Sequence, residues 1–340
     1  MVNSRFKGSK SIPTIYDVAA AAGVSIATVS RVLNAPEKVN ENTRDIVFAA
    51  INQLGFVPKA DARARALRDH HRIGVLTPFF TAPSFVQRLR GIATALKGTS
   101  YEVVIYSVDS TESVKSYLEI LPVMHFLDGL IILSLPIADH LAERLVKYGL
   151  ETVVVEYPHQ NLSSVEIDNV RGGMLAAEYL LKKGYRHIGF VGDTVVPEFG
   201  IHPITQRLSG LRQGLANAGL ELRPEDLLLV AYDMEATRYA ALEFLKRPDR
   251  PEAIFSATDL QAVAVMRAAR ELGLRIPRDL AVLGFDDLDL ADYVGLTTVR
   301  QHLDESGRVA AELLLARLAD RSRSIQHIEL TLEIVERETV

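Results

Sequence analysis

From Arg72 to the C-terminus the chain repeats one unit: a short apolar run followed by a stretch of helical periodicity. The runs are Ile73–Thr77, Tyr101–Tyr106, Gly129–Leu133 and Thr152–Glu156, and the series resumes with His187–Val191, Leu227–Ala231, Ala253–Ala257 and Leu280–Phe285. Runs this apolar are buried on both faces, which requires a sheet covered by helices on both sides. The pattern predicts βαβ units and parallel sheets. A break near 161–169 divides the series into two similar doubly wound halves, with further crossovers expected near 289–300 and at the C-terminal strand. Two such halves enclose a cleft, and strand C-terminal ends point into it.

A different pattern precedes this body. Thr14-Ile-Tyr-Asp17 opens like a capping box, with Asp17 at its fourth position. The alanine-rich helix that follows turns Ile15 and Val18 inward. Gly23 supplies a sharp turn, and Ser25 caps a second helix, Ile26 to about Asn34. A third helix, capped by Asn40, runs to Leu54 with Ile46, Val47, Ala50, Ile51 and Leu54 as its apolar stripe. Two short helices joined by a glycine turn form a helix-turn-helix. On the second helix Val29, Val32 and Leu33 face inward, leaving Ile26, Ala27, Thr28, Ser30 and Arg31 outside. Arg31 suits a guanine edge, Ile26 and Ala27 thymine methyls, and the Thr28 and Ser30 hydroxyls phosphate oxygens.

Charge separates the same two parts. Residues 1–72 carry 11 basic and 6 acidic side chains, the remainder 27 and 37, so a head of +5 precedes a body of −10. Only the head suits a polyanion. The plainer reading of these features is a structural helical hairpin with a solvated Arg31. Between the parts lies 58–72, Ala- and Arg-rich and without an apolar stripe, a marginal helix by itself.

The run T-I-Y-D-V-A-x-x-A-G-V-S-x-x-T-V-S-R-V-L-N over Thr14–Asn34 resembles the DNA-binding head of the lactose-repressor (LacI) family. The rest of the chain is similar to the periplasmic-binding-protein-like body of that family. The resemblance implies three parts: a helix-turn-helix domain over 1–57, a hinge over 58–72, and an effector-binding and dimerisation domain over 73–340. It implies that Ile26, Ala27 and Arg31 read bases in the major groove while Asn34 and the start of the third helix approach the backbone, with Thr14 and Ser25 also among the DNA-binding residues. It also implies that paired hinge helices enter the minor groove and wedge a leucine into the central step. Counting from Pro58 puts the wedge on Arg65, whereas matching A-R-x-L gives Ala64, Arg65 and Leu67. Leu67 is preferred, because an arginine does not unstack bases as an apolar side chain does.

The family's effector site is similarly matched by Arg207 in R-x-x-G, Thr258 before Asp259, Asp286 before Asp287, and Glu156 at a strand end. Arginine and carboxylates form directional paired hydrogen bonds with adjacent hydroxyls, which suits a sugar or sugar derivative. Two departures bear on ligand class. Thr258 stands where the family often has Asn, and Ala82-Pro-Ser-Phe85 replaces Asn-Pro-Phe-Phe. The plainer role of Asp286 and Asp287 is capping or ion pairing, and Asp168-Asn169 reads as a turn opening a helix.

Composition excludes much else. There is no Cys, so no disulfide, thiolate site or cysteine nucleophile. The nine His are scattered without H-E-x-x-H, and neither G-x-S-x-G nor a P-loop appears. No catalytic residue, metal site or cofactor is expected. The N-terminus lacks a signal-peptide core and no apolar run approaches the ~18 residues that span a bilayer, so a cytoplasmic protein is expected. No leucine heptads follow Ile334–Val340, so a homodimer on pseudo-palindromic DNA is expected rather than a tetramer. Two alternatives remain at this stage: a cytoplasmic sugar-binding or sugar-processing protein, and a DNA-binding factor with a vestigial cleft.

Overall fold

In the computed structural model, residues 13–34, 36–54, 56, 71–194, 199–201 and 203–340 are described. Three helices make the head: α1 (Ile15–Ala22), α2 (Ile26–Asn34) and α3 (Glu41–Leu54). The Asp17 carboxylate accepts from the Thr14 amide and hydroxyl, both at 2.7 Å, and these bonds hold its pKa below the usual carboxylate value. Gly23 ends α1 at φ 65°, a left-handed conformation that costs a side chain. Asn40 caps α3 by accepting from the Thr43 amide at 2.9 Å. Val18, Val29, Val32, Val47 and Ile51 are fully buried. One expectation shifts: Ile46 is exposed, and Phe48 is buried instead, in the cluster that the head shares with Ile120 and Val123 of the body.

The body holds two six-stranded sheets. The first contains β1 (Arg72–Pro78), β2 (Glu102–Val108), β3 (Gly129–Leu133), β4 (Glu151–Val155), β5 (Ser163–Glu166) and, from far along the chain, β11 (His327–Glu329). Its order is β11-β5-β4-β3-β1-β2, parallel throughout. The second contains β6 (Ile188–Asp193), β7 (Leu227–Val230), β8 (Ala253–Ser256), β9 (Ala281–Asp286), β10 (Thr297–Arg300) and β12 (Glu333–Val335). Its order is β12-β10-β9-β8-β6-β7, with β12 antiparallel to β10. The period of two in a strand divides each sheet's side chains between two cores. Leu130 and Ile132 enter one cluster while Ile131 and Leu133 enter the other. Phe190, Phe255 and Phe285 pack on one side of the second sheet, Val191, Ile254 and Val282 on the opposite side.

Tyr101–Tyr106 and Leu227–Ala231 were expected as buried strands, and here the structure differs. β2 and β7 are edge strands, with Val103, Ile105 and Leu229 exposed. Their composition matches that of the central strands; strand order alone makes them edges.

Among the covering helices are α4 (Pro83–Leu96), α5 (Thr111–Met124), α6 (Asp139–Lys147), α7 (Asn169–Lys182), α8 (Pro203–Asn217), α9 (Met234–Leu245), α10 (Asp259–Glu271), α11 (Asp289–Tyr293) and α12 (Leu303–Ala319). Two crossings matter for the cleft. In the first half α4 meets α12 at Gly91 and Gly307; a Cβ there would lie 1.8 Å from the Asp304 carbonyl oxygen and 2.0 Å from that of Arg88. In the second half α7 meets α8 at Gly173 and Gly210, with corresponding distances of 2.0 Å to the Arg207 oxygen and 1.9 Å to the Val170 oxygen. Backbones this close admit glycine alone. Gly210→Ala should therefore separate α7 from α8 and cost about 2 kcal/mol of stability, checked by urea unfolding. An unchanged midpoint would refute the close crossing.

Candidate functional site

Two arginines, one from each crossing, enter the space between the sheets. Arg207 of α8 is 3% exposed. Its Nε donates to Asn169 Oδ1 at 2.9 Å and its Nη1 to the Ala257 carbonyl at 2.6 Å, with Asp286 Oδ1 3.6 Å away. The guanidinium lies 3.6 Å from the Phe285 ring centroid, so an aromatic face backs it. Burial lowers its pKa, against the pull of Asp286 and Glu156. Arg88 of α4, equally buried, donates to Glu156 and lies 3.4 Å from Gln301 Oε1. Glu156 also accepts from the Ser134 hydroxyl, and the Gln301 amide donates to Asp286.

These contacts form one chain from Ser134 and Glu156 through Arg88 and Gln301 to Asp286 and Arg207. Ser134 follows β3, Glu156 follows β4, Asp286 ends β9 and Gln301 follows β10. Ser134, Glu156 and Asp286 all have positive φ (54°, 70° and 126°), an uncommon backbone state for side-chain-bearing residues. Burial pushes Asp286 up to about 6 despite Arg207 and Arg88. Asp193, ending β6, is raised to about 6 for the same reason, opposed by a 2.6 Å hydrogen bond from Gln261. The Tyr232 side chain is half exposed, yet burial, with Asp286 and Asp193 adding to it, raises its hydroxyl pKa. An aromatic group adjoins Arg88 through Phe85: Phe79 is 6.5 Å from Phe85 and 6.2 Å from Phe199, centroid to centroid.

The expected effector residues thus fall in two groups. Arg207, Asp286 and Glu156 are brought into one network, and Phe85 lies beside it, its ring 5.7 Å from the Arg88 guanidinium. Thr258 is occupied differently. Its hydroxyl caps α10, accepting from the Gln261 amide at 3.3 Å and donating to Gln261 Oε1 at 3.2 Å. Asp259 is structural, accepting from Thr298 and from the Leu288 amide at 2.6 and 2.7 Å. Sequence reasoning did not single out Arg88, Ser134, Asp193, Tyr232 or Gln301. Arg88 had a usable signal: Arg88-Leu-Arg-Gly91 repeats the spacing of Arg207-Leu-Ser-Gly210. Among the described residues no group of His, Asp and Glu could hold a metal ion.

On the head, Ile26, Ala27 and Arg31 are exposed on a helix anchored by Val29 and Val32. Ser25 and Thr28 hold the start of that helix, with the Thr28 amide 3.1 Å from Ser25 Oγ and the two hydroxyls 2.8 Å apart. Asn34 is its last residue. Tyr16, unremarked in the sequence, presents a largely exposed ring on α1. Ala64, Arg65 and Leu67 lie outside the described residues.

Residues 14–59 match the model for bacterial regulatory proteins of the lacI family, and residues 177–340 that for a periplasmic binding protein-like domain. The HTH-type transcriptional repressor PurR of Proteus mirabilis (strain HI4320) is 32% identical over 334 residues, 96% of each chain. A CelR transcriptional regulator solved as a cellobiose complex superposes with a TM-score of 0.68 at 29% identity, covering 96% of this chain and 100% of that one. The lac repressor dimer bound to operator and the anti-inducer ONPF does so with a TM-score of 0.67 at 26% identity, covering 96% and 99%.

Proposed function

The chain belongs to the lacI family of bacterial regulatory proteins, and on that premise we propose that it is a homodimeric, cytoplasmic repressor whose heads read a pseudo-palindromic operator and whose cleft binds a carbohydrate effector. In this reading residues 1–57 enter the major groove, 58–72 form the hinge, and 73–340 bind effector and dimerise. Ile26, Ala27 and Arg31 meet base edges; Thr14, Ser25, Thr28, Ser30 and Asn34 approach the backbone; Ala64, Arg65 and Leu67 enter the minor groove.

The observation that carries the cleft assignment is the pair of buried guanidiniums, one from each half, joined through Gln301. Arg88 Nε is buried without a hydrogen-bond partner among the described residues, a donor that a ligand hydroxyl would satisfy. Carboxylates at strand ends offer paired acceptors for adjacent hydroxyls, and Phe79, Phe85 and Phe199 offer apolar faces for the C–H side of a sugar ring. An effector that prefers one arrangement of the halves shifts operator affinity by its difference in affinity for the two arrangements.

The dimer rests on the uncovered edges. β2 and β7 occupy equivalent ends of their sheets and expose Val103, Ile105 and Leu229, and the helix α9 that follows β7 exposes Met234 and Tyr239. A contiguous apolar edge is covered most simply by its symmetry mate. Val103→Asp combined with Ile105→Asp is expected to give a monomer by light scattering, with operator affinity reduced by about a hundredfold as one head is left to bind alone. A dimer of unchanged mass would refute this edge as the interface.

The experiment that tests the whole reading is selection from randomised duplex DNA at two salt concentrations. A palindrome with two head-sized half-sites, bound less tightly at higher salt, is expected. No enrichment, with no binding at low salt, would overturn it. Among the described residues no single helix is long and apolar enough to cross a membrane.

A further inference from the structure

The head is seated on the body. Its core cluster continues into α5, where Ile120 and Val123 are buried with Phe48, Ile51 and their neighbours, and Met124 and Tyr148 pack at the margin. Around this apolar centre lies a polar rim. Asn52 Oδ1 accepts from Arg144 Nη1 at 2.6 Å and from the Tyr148 hydroxyl at 2.8 Å. The Arg144 guanidinium stands 5.1 Å from the Tyr148 ring and 6.0 Å from that of Phe48. Further out, Arg44 pairs with Glu112 at 3.5 Å, and Lys115 lies 3.7 Å from both Glu41 and Asp45. An apolar centre inside a charged rim is the anatomy of a specific interface. The contact uses the body-facing side of α3 and leaves Ile26, Ala27 and Arg31 exposed.

We propose that this face of α5 and α6 is a seat that fixes the head's angle on the first half of the body, so that the two heads of a dimer are preset to their half-site spacing. The proposal rests on the dimeric operator reading for its effect on DNA, but the seat itself is a property of the chain alone. A preset pair of heads forfeits less orientational freedom on binding than two tethered ones. The seat also transmits motion of the first half directly to the head, in parallel with residues 58–72.

The test has two arms. Because the chain has no Cys, Asn52→Cys with Lys147→Cys introduces a single pair, and both positions line the same cavity of about 350 Å³ at the seam. A short bismaleimide should link them within one chain in the absence of DNA. No product, or a product joining two chains, would overturn the same-chain seat. In the second arm, Lys115→Glu and Arg144→Ala alter only the body. Faster amide exchange in α3 is expected in both. Affinity for the selected palindrome should fall about tenfold while affinity for a single half-site stays unchanged. Adding Asp45→Lys to Lys115→Glu should restore both readouts. Equal losses on the two duplexes, or no change in exchange, would overturn the proposal. If selection yields no DNA, the regulatory reading fails, and crosslinking and exchange still decide the seat.

Discussion

Arg31→Ala is expected to weaken operator binding by about 2 kcal/mol, roughly thirtyfold, while changing binding to unrelated duplex DNA far less. Arg31 is the sole cation of α2, and it stands exposed on a helix whose opposite side is fixed by Val29 and Val32. A guanidinium on such a mount meets base edges with little motion of its own, so its loss removes discrimination more than attraction. The dependence of affinity on salt should therefore decline by no more than one phosphate's worth. Fluorescence anisotropy on the selected palindrome and on a scrambled duplex, at two salt concentrations, separates the contributions. A parallel loss on both duplexes would assign Arg31 to the phosphate backbone instead. Unchanged affinity on both would leave α2 without a reading role.

The head was legible because its geometry is local. Gly23, Ser25 and Asn40 set turn and caps within a few residues, and the apolar phase of each helix follows from its own sequence except at Ile46, which is exposed while Phe48 is buried against the body. The two α/β halves were legible for a related reason: most central strands, such as β3 and β4, are apolar along nearly their whole length, whereas β5 (Ser163–Glu166) and β10 (Thr297–Arg300) are polar and offered no such run. What failed to show was whatever depends on which strands become neighbours. β2 and β7 carry the composition of central strands and become edges only through strand order. β11 is three residues, too short for a pattern, and exists because β5 offers it a partner, whereas the C-terminal strand, β12, was anticipated as a crossover without its partner β10.

The cleft was half legible. Arg207 announced itself through Arg-Leu-Ser-Gly, in which the glycine serves the helix crossing that presents the arginine. The same spacing occurs earlier, in Arg88-Leu-Arg-Gly91, and went unused. Helical phase turns it inward, since Arg88 follows Phe85 by three residues and precedes the buried Ile92 by four. Ser134 and Gln301 had no such signal, being small polar groups at strand ends whose partners come from distant parts of the chain. Thr258 looked like a ligand contact for the opposite reason. Its strand-end position is right, but Gln261 three residues later makes it the capping residue of α10.

Arg207→Ala is the variant expected to separate sensing from DNA reading. Truncating a buried, hydrogen-bonded cation that faces a buried carboxylate costs about 3 kcal/mol, so effector should bind more than about a hundredfold more weakly. Operator affinity without effector should stay within about twofold, because Arg207 lies at the cleft and the reading helix is in the head. Persistent release of operator by effector would refute the site. A pH signature identifies the mechanism without any effector. Asp286 holds its proton more tightly folded than unfolded, so its contribution to stability is complete below its ordinary pKa near 4 and is lost as pH rises through about 6. Arg207 is the leading influence that lowers this value, opposing burial. Removing it moves the folded pKa higher, and the ionised carboxylate at neutral pH is left buried with a weaker partner. The fall in Tm caused by the substitution should thus be greater at pH 7.5 than at pH 5, by about 3 °C for each additional kcal/mol. Equal losses at the two pH values would mean that Asp286 does not depend on Arg207 for its charge, and the pair would not be the ionic centre of the cleft.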